Sequence, residues 1–159
     1  MHLEKRAIAA LRLFLVAFFA ILVMLETLSL PGQYRYEAKQ HPEDAGETLA
    51  LTAVAVFFVV CVQVVIVATW KLLSFVRDDR IFTEAAFGWV DAIIWAITAA
   101  WVGLAGVYVW VGLHADDPGI MVVLTLFVIA LSVLGLLMVV MRALLRQATA
   151  LRSDLEAVI

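Results

Sequence analysis

Apolar positions run through this 159-residue chain in four long blocks, at residues 7–30, 48–73, 85–113 and 120–141, with polar residues gathered between them. A helix that crosses a bilayer needs about 20 mainly apolar residues, and each block meets that length. The pattern predicts an all-α integral membrane protein with four transmembrane helices in one domain. The polar stretch 31–47 is too short to bury a core of its own. At the block edges, Leu30-Pro31-Gly32 reads as the end of the first helix, since Pro breaks the hydrogen-bond ladder and Gly tolerates the exit conformation. Asp117-Pro118 reads as the N-cap and first residue of the fourth. Thr83 is the expected N-cap of the third, with Glu84 near the positive end of the helix dipole and Phe82 and Phe87 placed as a hydrophobic staple. The connection 74–83 is therefore expected to be ordered.

The apolar pattern does not stop at residue 141. Met141, Leu144, Ala148, Leu151, Leu155 and Val158 recur at spacings of three and four, which lines one helix face. The fourth helix is expected to extend into the cytoplasm as a helical tail over 142–159, reaching roughly 55 Å in all against a hydrocarbon core of about 30 Å. An apolar stripe outside the membrane needs cover. The same tail of a second copy, the 74–83 connection, a cytoplasmic partner or the lipid surface could each supply it. Fewer than three heptads make a weak zipper unaided, so a homodimer built on the third or fourth span and the tail, or docking of a partner, is expected over a free coiled coil.

Charge then orients the helices. Nine cationic residues (Lys5, Arg6, Arg12, Lys71, Arg77, Arg80, Arg142, Arg146 and Arg152) fall on one side of the map, against Arg35 and Lys39 on the other. Positive charge is retained on the cytoplasmic side, which predicts both termini inside. The first block is long and lacks a small-x-small cleavage site, so it reads as a retained span and not as a signal peptide. Composition agrees: 65% of residues are hydrophobic and 16% charged, and mean hydropathy is +1.05. Trp70 and Trp89 near the inner interface, and Tyr108 and Trp110 near the outer one, read as interfacial anchors.

Polar residues within the blocks are few. Arg12 and Asp91 are expected at similar depth near the inner face, where a pair between them satisfies both. Glu26 is placed near the outer end of the first span and Gln63 in the inner half of the second. An acid at bilayer depth costs on the order of 2.5–3.5 kcal/mol, so it faces protein or finds a partner. Structural pairing or interface solvation is the expected role of the two acids, and transport through the carboxylates is the alternative. Ala99, Gly103 and Gly106 on the third span, and Gly135 on the fourth, are small residues at spacings that admit close helix approach.

Enzymatic chemistry has no footing in the sequence. Cys61 is the single cysteine and sits mid-span, and His2, His41 and His114 all fall outside the spans. No nucleophile elbow, phosphate loop, HExxH motif or metal-ligand cluster occurs. His41, Glu43, Asp44 and Glu47 read as a solvated acidic loop. No catalytic residue, metal or cofactor is expected, and the scattered basic residues do not form a nucleic-acid stripe. Membrane lipid is the one assured partner.

The segments LLSFVRDDRIFTEAAFGWVDAIIW, residues 72–95, and LLRQATALRSDLEAVI, residues 144–159, resemble the basic connection and the tail of the bacterial four-span membrane proteins grouped as domain of unknown function 2975. The ending from Asp154 to Ile159 departs from the acid-Leu-Thr-Val ending of many members. The resemblance implies a regulatory role beside small helix-turn-helix regulators, with one of these as a cytoplasmic partner. It brings no catalytic residue.

Overall fold

Pro31 does not end the first helix. In the computed structural model, which describes residues 2–78, 80–114 and 118–159, helical turns run unbroken from residue 2 to residue 40. They comprise α1 (His2–Met24), a π-helical segment (Leu25–Ser29) and α2 (Leu30–Gln40). The Leu30 N–H donates to the Leu25 carbonyl, five residues back. In an ordinary α-helix the ring of Pro31 would meet the carbonyl of Thr27. Widening the turn just before the proline relieves that clash and lets the helix continue. The expected exit at Leu30-Pro31-Gly32 is thus corrected, and so is the polar loop expected after it. Arg35 and Lys39 lie on α2, and the chain turns only at His41 and the 3-10 turn Pro42–Asp44.

Three further helices follow: α3 (Ala45–Arg77), α4 (Glu84–His114) and α5 (Pro118–Val158), with no strand among the described residues. Four helical stretches, Arg6–Gln40, Pro42–Arg77, Glu84–His114 and Pro118–Val158, are long and apolar enough to cross a membrane. The protein is a multi-pass membrane protein. Pro118 opens α5 as expected, while the N-cap assigned to Asp117 lies outside the described residues. As a single helix of 41 residues, α5 is about 60 Å long, so the tail does continue the fourth span. The connection between α3 and α4 is held by backbone bonds from Asp78 N–H to the Ser74 carbonyl (3.1 Å) and from Arg80 N–H to the Phe75 carbonyl (2.8 Å). Thr83 stands just before α4, where its carbonyl receives the Ala86 N–H at 2.9 Å.

The chain divides into two compact units, Met1–Trp70 and Lys71–Ile159, with the boundary inside α3. In the first, Leu22, Val59 and Ile66 form a buried cluster that Leu15 and Phe19 flank. In the second, α4 and α5 lie antiparallel in one steady register. Asp91 faces Arg142, Trp101 faces Ser132, and Tyr108 faces Thr125. Each step along α4 is matched by an equal step back along α5.

The half-covered positions of α5 show what sets that register. Met121, Leu124, Val128, Leu131, Gly135, Met138, Arg142, Leu145, Thr149 and Arg152 are all partly buried. Their spacing alternates three and four without a slip, the seam of a helix packed along its whole length against a neighbour. Gly135 is a point of close approach: a Cβ there would lie 3.3 Å from Ile97 Cγ2, whereas a Cβ at Gly106 would meet nothing within 4 Å. Valine at Gly135 therefore must push the helices apart. Gly135→Val is expected to lower stability by about 1–3 kcal/mol, the usual cost of overpacking, while Gly106→Ala leaves it unchanged or raised. Reversible unfolding of the reconstituted protein, followed by tryptophan fluorescence, measures both.

Candidate functional site

Both units hold polar contacts within otherwise apolar packing. In the first unit, Gln63 on α3 donates through Nε2 to Glu26 Oε2 at 3.1 Å, both residues being partly buried. Glu26 belongs to the π-helical segment. Because the first helix continues to residue 40, Glu26 lies in its interior and not at its outer end. Gln63 shares its level, so the expected separation of the two into opposite halves is corrected. A neutral amide donor on a carboxylate oxygen supplies one hydrogen bond where hydrocarbon supplies none. Hydroxyl groups of the same unit satisfy themselves locally: Thr27 donates to the Val23 carbonyl at 2.7 Å and Thr69 to the Val65 carbonyl at 2.7 Å.

In the second unit, Arg142 donates through Nη2 to Asp91 Oδ2 at 3.0 Å, and its Nε approaches Oδ1. This fork-on-carboxylate geometry is the strongest arrangement open to such a pair. The expected partner of Asp91 was Arg12, and the structure corrects it. The α4–α5 seam brings Arg142, at the end of the apolar part of α5, opposite Asp91. Arg12 instead stands 5.3 Å over the Trp70 ring within the first unit, inside the range of cation–π attraction. Nearly three turns along α4 from Asp91, Trp101 Nε1 donates to Ser132 Oγ at 2.8 Å, and that hydroxyl in turn donates to the Val128 carbonyl at 2.7 Å. Neither the Arg142 partner nor this relay was anticipated. The blocks hid the first, since Asp91 lies inside the third block whereas Arg142 falls just past the end of the fourth.

The tail carries a second, covered stripe beside the expected interaction face. Leu145, Thr149 and Arg152 continue the covered seam, whereas Leu144, Leu151, Leu155 and Val158 are exposed, at 53%, 65%, 67% and 86%. Ala148 lies between the two stripes and is partly buried. The phase of the helix was decided inside the membrane, by Ser132, Gly135 and Arg142, and a repeat of 3.5 residues carries it outward. Arg152 lies 5.1 Å over the Phe82 ring and pairs with Glu156 at 3.3 Å, and the Lys71 Nζ lies 5.9 Å from the Trp89 ring.

Other singled-out residues occupy plainer positions. Ala99 and Gly103 are partly buried on α4, Gly106 is exposed, and Cys61 is buried. Trp110 stacks on His114 with ring centroids 5.1 Å apart. His41, Glu43 and Asp44 bring possible ligand atoms within 4.8 Å of one another, all on the exposed turn between α2 and α3.

A family model described as "Protein of unknown function (DUF2975)" matches residues 32–159. The chain belongs to this family. The matched region includes Gln63, Asp91, Arg142 and the whole tail, while Arg12 and Glu26 precede it. No curated protein and no solved structure matches the chain.

The fork between Asp91 and Arg142 is open to direct measurement. A double-mutant cycle with Asp91→Asn and Arg142→Gln is expected to give a coupling of about 1 kcal/mol, in the range found for polar contacts between membrane helices. Unfolding of the four proteins in bilayer discs supplies the energies, and additive effects would mean that the contact contributes nothing.

Proposed function

We propose that this protein is a non-enzymatic regulatory or scaffold protein of the bacterial inner membrane, with both termini in the cytoplasm. It contacts a partner through the α3–α4 connection and the tail of α5. The observation that carries this reading is the division of the tail into two stripes. One stripe is committed to α4 and the connection before it, and the other, through Leu144, Leu151, Leu155 and Val158, stands uncovered. Apolar residues scattered singly on a surface need no explanation, but a row of them on a helix that has left the membrane does. The family resemblance favours a helix-turn-helix regulator as the partner, and a second copy of the chain is the other occupant of that stripe.

Sidedness rests on the cationic residues at the N-terminus, in the α3–α4 connection and in the tail. A second reading, a small oligomeric transporter or pore, is favoured by Glu26 lying in a π-helical segment, since such segments recur at functional sites. Unaltered ion or amine flux through liposomes bearing Glu26→Gln and Asp91→Asn would remove it.

Two tail variants test the main reading. Removal of residues 144–159, and Leu151→Glu with Leu155→Glu in the full chain, are expected to cut recovery of the crosslinked partner at least tenfold while leaving membrane insertion intact. Undiminished recovery with both would overturn the proposal. In the same cells, protease added from outside should leave the tail uncut.

A further inference from the structure

Between α2 and the first half of α3, the first unit opens into a groove of about 610 Å³. Gln33, Tyr34, Tyr36 and Glu37 line it from α2, and Thr48 and Thr52 from α3, over an apolar floor. The continuation of the first helix past Pro31 creates this wall, since without α2 these residues would belong to a loop.

The lining has a consistent chemical sense. Glu37 is its carboxylate, and no Lys or Arg is among the described residues that form it. Arg35 and Lys39 on the same helix are exposed and stand outside the lining. Both threonine hydroxyls have their protons engaged, Thr48 on the Asp44 carbonyl at 3.1 Å and Thr52 on the Thr48 carbonyl at 2.8 Å. What they offer a ligand is therefore oxygen lone pairs. A carboxylate, two phenol rings, an amide and two accepting hydroxyls beside an apolar floor suit a cation with a greasy body. One carboxylate sets the charge at one, and the rings add cation–π attraction.

We propose that this groove binds a monovalent organic cation, an ammonium or phosphonium carrying apolar groups, with its charge held by Glu37 and Tyr34. The amine can come from solution or from a lipid headgroup, and the two sources are separable.

Tetraphenylphosphonium is the probe, with binding to the full chain in phosphatidylglycerol discs measured by equilibrium dialysis against empty discs. Saturable binding of one cation per chain is expected. Glu37→Gln should weaken it at least tenfold and Tyr34→Leu about 3- to 30-fold, as loss of a cation–π contact implies. Tyr34→Phe and Glu43→Gln should leave it within about twofold. Binding that does not saturate, or that is indifferent to both Glu37→Gln and Tyr34→Leu, overturns the proposal. So does an equal loss with Glu43→Gln, which would mean unspecific surface charge. If phosphatidylethanolamine in the disc competes with the probe, a headgroup amine is the occupant. If it does not, the occupant is a soluble cation.

Discussion

Hydrocarbon takes the place of water around most of this chain, and the remaining features follow from that exchange. Phe14, Leu126, Val133 and Leu136 are 71%, 65%, 61% and 67% exposed, a distribution that water would penalise and lipid does not. In lipid the backbone must satisfy its own polar groups, and long helices do so. Even the passage through Pro31 obeys this rule, since the chain widens a turn and stays helical. The hydroxyls of Thr27, Thr69, Thr98 and Thr125 likewise return their protons to carbonyls of their own helices.

Apolar surface is cheap in this solvent, so helix pairing depends on close fit and on a few polar contacts. The α4–α5 pair uses both. Gly135 admits Ile97, Ser132 receives Trp101, and Arg142 grips Asp91, all on one seam. That seam then dictates events outside the membrane. By fixing the rotation of α5, it turns Leu145 and Thr149 inward and leaves Leu151 and Leu155 outward. The stripe proposed to meet a partner is thus a by-product of packing in the hydrocarbon region.

Much of this was legible in residue order. Four apolar blocks gave four spans, and the three-and-four spacing beyond residue 141 gave the continued helix. Pro31 was misread because helix grammar treats Pro-Gly as a stop, while the relief offered by a π turn depends on hydrogen bonds that no local rule anticipates. Asp91 was assigned Arg12 on depth alone, and depth does not say which helices are neighbours. The covered stripe of the tail went unread for a related reason. Two apolar stripes run along it, one through Leu144 and Leu151 and one through Leu145, and only the contact with α4 distinguishes them. The groove beside Tyr34 and Glu37 was invisible once those residues had been taken for a loop.

The central claim is that lipid covers the middle of α5 and water covers its end. Nitroxide labels on single cysteines, in a background without Cys61, test it directly at Leu126, Leu137, Leu151 and Leu155 in bilayer vesicles. The account predicts that labels at Leu126 and Leu137 relax with oxygen and ignore a water-soluble nickel chelate, while those at Leu151 and Leu155 respond to the chelate. Strong response to the chelate at Leu126 and Leu137 would contradict it.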